Sequence, residues 1–307
     1  MNRDGSAAGR RVVAAALVAL LLGAGCTPTS ESPGRGGNAY GNLPRVTPRP
    51  RPTTPAQPKT IEPDQIDLGR SVAGRPLKAQ IYGTGEQTIL MLATIHGNEQ
   101  AGTPLLRKLG DYLREHPQIV ADKRVILIPV ANPDGMASNT RGNLRGIDLN
   151  RNFPAWNYSP SRGHGSQPLS EPESRALSQV IAKYEPDRII SLHQPLTCID
   201  YDGPGEALAR AMAAATNLPL KKLGSLAGSL GSYAGLTKRI PIVTVEFPRG
   251  ADDLTPDGLW SRYGRMLLVA VCHPDPVPTL TEQSRRPSPM VSIEPVARPR
   301  ANRRQTD

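Results

Sequence analysis

The sequence predicts an α/β protein: a mostly parallel mixed sheet with helices on both faces, flanked by disordered tails. Three observations carry this. Residues 89–95, 125–130, 188–193 and 242–247 are short, nearly continuous apolar runs, the mark of strands buried on both faces. Segments of helical period separate them, and such alternation implies parallel strands joined by crossover helices. Three of the runs end in ionisable groups: His96 with Glu99, then His193, then Glu246. The C-terminal edge of the strands is where open α/β sheets build their sites.

Residues 1–26 read as a secretory signal of lipoprotein type. Arg3, Arg10 and Arg11 precede an apolar stretch of eleven residues, 12–22, too short to span a bilayer as an ordinary helix. It ends in Leu22-Gly23-Ala24-Gly25-Cys26, which resembles a bacterial lipobox, so Cys26 is the expected lipidation site. Gly23 departs from that pattern, which usually has Leu there, and leaves simple secretion as the alternative. The pair Arg10-Arg11 hints at twin-arginine export, but the residues after it match poorly. The chain is thus expected to be exported and anchored at the outer face of the cell membrane through lipid. Residues 27–60 are rich in Pro, Arg, Thr and Gly without a periodic apolar face, which predicts a disordered linker. Residues 274–307 have the same character and form a basic tail.

The folded domain is expected over 61–273. Residues 66–72 and 77–82 flank Ala73-Gly74-Arg75-Pro76 as a hairpin. The His96 strand follows. Residues 103–116 place Leu105, Leu106, Leu109, Tyr112 and Leu113 on one helical face. After the strand at 125–130 comes a long polar loop over about 132–170. Residues 171–184 are helical, with Pro172 at a first-turn position. The strand ending at His193, an Ala-rich helix over 206–216, the strand ending at Glu246 and a closing helix over 259–271 complete the domain.

The net charge of +10 sits mostly outside this domain. The tails and signal carry most of the excess Arg, leaving 61–273 at only +2. A near-neutral core gives no support for nucleic-acid binding. Beyond Cys26, Cys198 and Cys272 are either a disulfide pair or two buried thiols.

Three strand ends pointing at one sheet edge make a constellation. His96, Glu99 and His193 supply a His₂Glu set for one Zn²⁺, with a fourth position open for water, which the metal acidifies. Glu246 then serves as the general base that moves that water's proton to the leaving amine. Gly97 is read as freeing the turn so that His96 and Glu99 converge.

The stretches His96-Gly97-Asn98-Glu99, Asn132-Pro133-Asp134-Gly135, Thr140-Arg141-Gly142-Asn143 and Asp148-Leu149-Asn150-Arg151-Asn152-Phe153-Pro154 occur in this order before the strand-end His193 and Glu246. Over about 90–250 the chain resembles the zinc carboxypeptidase (M14) family, and looks closest to its small bacterial branch, the murein peptide amidases, which cut the γ-D-glutamyl–diaminopimelate bond. The resemblance implies a zinc carboxypeptidase-like fold and a murein peptide as substrate. It assigns zinc to His96, Glu99 and His193 and catalysis to Glu246. It assigns the substrate's terminal carboxylate to Asn150 and Arg151, and the scissile carbonyl to Arg141. An Arg fork suits a carboxylate, and a fixed cation suits a developing oxyanion; Arg145 competes with Arg141 for that role. Asp148 fits an acceptor for the imidazole N–H of His96. The family's digestive members have a mobile Tyr ahead of the catalytic Glu. Tyr233 stands there in a Gly-rich loop, either as a moving substrate contact or as a packed side chain. Trp156, Tyr158 and His164 line the substrate mouth or simply pack their loop. His116 and His273, each before a Pro, read as structural. Two competing activities keep the zinc site: an ordinary carboxypeptidase, and an N-acyl amino acid deacylase of the succinylglutamate desuccinylase or aspartoacylase kind. A third reading, a wall-binding lipoprotein on a decayed hydrolase fold, is not enzymatic.

Overall fold

The computed structural model describes residues 60–278. The signal over 1–26 with Cys26, the linker up to residue 59 and the tail beyond 278 lie outside the described residues.

Seven strands form one mixed sheet. β1 (Asp64–Arg70) and β2 (Pro76–Tyr82) make the expected hairpin. β3 (Gln87–Ala93), β4 (Lys123–Ile128), β5 (Arg188–His193) and β7 (Ile242–Pro248) are the four apolar runs, and they pair in parallel as β4-β3-β5-β7. β6 (Leu196–Asp202) adds antiparallel to β7 at one edge. The order is β1-β2-β4-β3-β5-β7-β6. Sequence reasoning passed over β6. Its Leu196 and Thr197 are exposed and two acids interrupt its alternation, so no apolar run marks it.

The alternation of side chains along the strands feeds two apolar layers. On one face Ile89, Met91, Val125, Leu127, Ile190, Leu192, Val243 and Val245 pack under α1 (Gly102–Glu115), α4 (Glu206–Ala214) and α5 (Pro256–Cys272). On the other, Leu90, Leu92, Ile126, Ile128, Ile189 and Ile242 pack under α3 (Pro172–Tyr184) and the loops carrying Leu149, Phe153 and Tyr233. The helices start where local chemistry allows. Pro occupies the first turn of α3 and α5, and Thr255 caps α5 by accepting from the Gly258 N–H at 3.1 Å. Cys198 and Cys272 are both free and buried, which settles the choice in favour of two thiols.

The long loop is more ordered than its polarity suggests. Asn132 caps a short helix, α2 (Pro133–Ser138), through the Gly135 N–H at 2.9 Å. Buried Asp134 accepts from Ser71 Oγ at 2.8 Å, the Ala73 N–H at 2.9 Å and Arg75 at 2.8 Å, tying the hairpin to α2. Asn143 donates to Glu171 at 2.7 Å and Glu173 at 3.1 Å, fastening the loop to the start of α3. His116 caps α1 and stacks on Tyr112 at 4.1 Å.

The topology decides where a site forms. The connection leaving β3 runs through α1 to β4 on one side, while β5 leads to β7 on the other. A crevice opens between the C-terminal ends of β3 and β5, where the chain's connections diverge. Thr94, directly after β3, sits at φ 53°, a costly conformation for a β-branched residue. It, not Gly97, makes the sharp turn. Gly97 is required for a different reason: a Cβ there would lie 1.9 Å from the carbonyl carbon of Gly135. Gly97→Val is therefore expected to lower the unfolding free energy by about 1–3 kcal/mol or more through overpacking, read as a reduced denaturant midpoint; an unchanged midpoint would refute the close approach.

Candidate active site

His96 follows β3 and His193 ends β5, two neighbouring strands. Glu99 reaches between them from the turn before α1. Its Oε1 lies 2.8 Å from His96 Nδ1 and its Oε2 2.9 Å from His193 Nδ1, and the two Nδ1 atoms are 3.2 Å apart. All three residues are buried.

The hydrogen bonds behind this triad fix what it can do. Asp148 Oδ1 lies 3.1 Å from His96 Nε2. Burial alone would raise the Asp148 carboxyl, but the His96 imidazole, with Arg141 and Arg151, holds it well below the usual carboxylate range. An ionised Asp148 only accepts, so His96 Nε2 carries a proton, and in the neutral imidazole its Nδ1 presents a bare lone pair. Ser191 Oγ holds the outer nitrogen of His193 at 2.9 Å. Glu99 is likewise ionised: burial opposes this, but His193 and His96 outweigh it and depress its carboxyl. Once the imidazole protons facing Glu99 are given up, lone pairs of two imidazoles and a carboxylate converge on one point. A single cation between them satisfies all of these acceptors, and a His₂Glu donor set suits zinc. Without a metal the same need is met by a proton: burial would lower His96, yet Asp148 and Glu99 raise it.

Arg141 reaches the same cluster. Its Nη1 donates to Glu99 at 3.1 Å and its Nε to Asp148 at 2.9 Å, with half of the side chain exposed. Arg145 turns away to Glu171 at 3.3 Å, which removes it as a competitor. Asp148 also caps the turn Leu149–Arg151 by accepting from the Asn150 N–H at 2.9 Å. One carboxylate therefore links a histidine of the triad, Arg141 and the turn carrying Asn150 and Arg151. Asn150 Oδ1 accepts from the Leu230 N–H at 2.9 Å, which leaves its amide hydrogens for the cavity.

Glu246 sits in β7 directly opposite His193 in β5. One oxygen accepts from the Leu196 N–H at 3.3 Å; no hydrogen bond reaches the other among the described residues. Burial pushes its carboxyl up, and the Glu99 charge adds to this while His193 and the Leu196 N–H oppose it. Glu99, His193, Glu246, Arg141, Asn150 and Arg151 all line one cavity of about 320 Å³.

Other sequence candidates do not reach it. Tyr233 is a correction: it lies in a π-helical turn, Gly231–Thr237, buried against Phe153 at 5.7 Å, with its hydroxyl 3.2 Å from Ser178. Its ring fills core space under the sheet, so it has no face free for substrate. The Tyr158 hydroxyl and His164 Nδ1 bond loop carbonyls, those of Gly165 and Ser159, and Trp156 is 74% exposed outside the cavity. Sequence reasoning missed Gln194, whose N–H donates to Glu99 Oε2 at 3.1 Å while its side chain bridges the Ala101 N–H and Asp252. It also missed Asp200 and Asp202, which line the cavity from β6. The only signal was their alternation just after His193.

The model of the zinc carboxypeptidase family matches residues 57–202. Murein peptide amidase A of Escherichia coli K12 is 33% identical over 228 residues, covering 67% of this chain and 88% of the relative. The Vibrio campbellii protein of the same name is 31% identical, over 70% and 91%. Among solved structures, murein-tripeptide amidase from Escherichia coli O157 superposes with a TM-score of 0.54 at 29% identity, over 71% of this chain and 94% of that one. Carboxypeptidase A from Helicoverpa armigera, at 20% identity and a TM-score of 0.57 over 69% of each chain, shares the fold.

The purified protein is expected to bind one zinc per chain, measured by elemental analysis, and His193→Ala to lose it. Asp148→Asn should weaken zinc about 10–100-fold, as loss of an acceptor behind a ligand histidine does. Full affinity in Asp148→Asn would show that Asp148 does not orient His96.

Proposed function

The chain belongs to the zinc carboxypeptidase (M14) family and is a zinc-dependent metallopeptidase or amidase; on that premise we propose that it hydrolyses an amide bond next to a free carboxylate in peptidoglycan-derived peptides, the γ-D-glutamyl–diaminopimelate bond first among them. The observation that carries this is the joint presence, in one cavity, of Glu99 and His193 of the triad, a cross-strand carboxylate at Glu246 and two polar side chains suited to a carboxylate, Asn150 and Arg151. Membership of an enzyme family with this site leaves no ground for a decayed, purely wall-binding role.

His96, Glu99 and His193 would hold the zinc. A zinc ion bound there supplies Lewis acidity, polarising the carbonyl and acidifying a water. The rest falls to the chain's own groups. Arg151 and Asn150 take the terminal carboxylate of the substrate, fixing the scissile bond relative to Glu246. Glu246 accepts a proton from the attacking water as its oxygen bonds to the carbonyl carbon. It then returns that proton to the nitrogen as the C–N bond breaks, so the products are a carboxylic acid and a free amine. A raised carboxyl at Glu246 suits this two-way role, since the group both takes and gives a proton. Arg141 is a cation at the cavity edge beside Glu99, placed to balance charge growing on the carbonyl oxygen. Asp148 is a positioning residue that keeps His96, Arg141 and the Asn150–Arg151 turn in one frame.

We further propose export, with anchoring by lipid at Cys26, which would put the enzyme where wall peptides are. Cys26→Ser is expected to shift the protein from the membrane fraction to the soluble one; unchanged fractionation would contradict the anchor.

The activity test is mass analysis of the products from Ala-γ-D-Glu-diaminopimelate. Zinc-dependent release of free diaminopimelate is the expected result. Release from ordinary C-terminal dipeptides or N-acyl amino acids alone would instead favour the carboxypeptidase or deacylase activity. Glu246→Gln is expected to keep zinc and lower kcat by about 10²–10⁴-fold; undiminished turnover would refute the assignment of the base.

A further inference from the structure

The turn that carries Glu99 runs into a helix with no cap of its own. α1 starts behind Ala101, whose side chain cannot accept a hydrogen bond, and no acid stands in the first turn. The N–H groups at a helix start need acceptors from elsewhere. The Ala101 N–H finds one on the next connection, Gln194 Oε1 at 3.0 Å. The other end of the same amide donates to Asp252 Oδ2 at 2.9 Å, in the 3₁₀ turn Arg249–Asp253 directly after β7. The Gln194 main-chain N–H donates to Glu99 Oε2 at 3.1 Å. One residue, next to His193 and only 6% exposed, thus fastens three connections: β3 to α1, β5 to β6 and β7 to α5.

The partners dictate an amide at this place. A backbone N–H only donates and a carboxylate accepts, so the group between them must accept at one end and donate at the other. The same logic fixes which end of the amide is oxygen. A Glu would face Asp252 with a second carboxylate, and a Met would fill the space and bond neither partner. The clamp matters because the sheet does not place every member of the site. Register sets Glu246 beside His193. Glu99 stands well past the end of β3, so its position depends on the turn that carries it. Thr94, at φ 53°, bends that turn where it leaves the strand, and Gln194 holds it where it enters α1.

We propose that Gln194 is a positioning residue for the reaction: its side-chain amide clamps the Glu99 turn and the loop after β7 onto the His193 strand, and so sets the metal triad against Glu246. The inference rests on the hydrolase reading above for the roles of the triad and of Glu246, and it is independent of which amide bond is cut. The Gln194 amide takes no part in the chemistry; it acts through the turn that presents Glu99. Such coupling is reciprocal: a clamp that tightens zinc binding is itself tightened by zinc, by the same factor.

Zinc affinity, measured by competition with a chelator, reads the clamp directly. Gln194→Met is expected to weaken zinc about 10–100-fold and, with zinc saturating, to lower kcat while KM changes little. Gln194→Glu should weaken zinc as well. Asp252→Asn alone should bind zinc normally, because the new amide can turn its oxygen to Gln194. Combining Gln194→Glu with Asp252→Asn puts a donor back opposite an acceptor and should recover the affinity, a rescue that a space-filling role for Gln194 does not give. In the unsubstituted protein, which needs no variant to fold, zinc should slow hydrogen exchange at the Ala101 N–H by about tenfold or more. Full zinc affinity in folded Gln194→Met, no recovery in the double variant, or Ala101 exchange indifferent to zinc would overturn the inference. Zinc affinities and exchange that behave as expected, with no murein peptide hydrolysed, would instead uphold the clamp and sink the murein-peptide reading.

Discussion

Lone pairs facing one another in a buried space are the constraint on which the site depends. His96 Nδ1, His193 Nδ1 and both oxygens of Glu99 converge, and like-signed electron density out of water is costly unless something positive stands between. Asp148 makes the demand sharper. By accepting from His96 Nε2 it fixes the tautomer that turns a bare nitrogen inward. The same carboxylate accepts from Arg141 and from the Asn150 backbone. Metal site, cation and carboxylate anchor are therefore one hydrogen-bonded unit, and a displacement of any part is felt by the others.

The sheet supplies the distances that this unit needs. Parallel pairing of β3, β5 and β7 brings their ends to one edge, and register sets His193 directly beside Glu246. Strand spacing is fixed by backbone hydrogen bonding, so Glu246 is held near the triad by the main chain and not by a flexible loop. The antiparallel edge strand β6 then floors the cavity. The wall over 222–231 is stapled to it through Asp202 and through the Leu223 N–H on Asp200.

Much of this was legible in the sequence. Four apolar runs became four buried strands, and the polar residues closing them, His96 with Glu99, His193 and Glu246, came together, because a parallel sheet forces strand ends to a common edge. What stayed hidden has physical causes. β6 carries acids where a core strand carries apolar groups, since its inner face meets a cavity and not a core. The motif residues divide in a way spacing cannot show: Asn150 and Arg151 reach the cavity and Asp148 stands behind it on His96 and Arg141, whereas Asp134, Asn143 and Asn152 fasten the long loop. Tyr233 illustrates the reverse error. Glycine neighbours suggested motion, but those glycines let a π-helical turn pack against Asp202 and Gly203, and the ring went into the core. At Gly97 the residue type was read correctly as special for the wrong reason, because close approach between two loops is a tertiary fact.

The central claim is that His96, Glu99 and His193 hold one catalytic zinc through the inward nitrogens. Anomalous diffraction at the zinc edge from crystals of the zinc-loaded protein tests it most directly. The account predicts a single ion about 2.0–2.2 Å from His96 Nδ1, His193 Nδ1 and a Glu99 oxygen, with His96 Nε2 still on Asp148. An ion bound through the Nε2 atoms, or a zinc peak away from this triad, would contradict it.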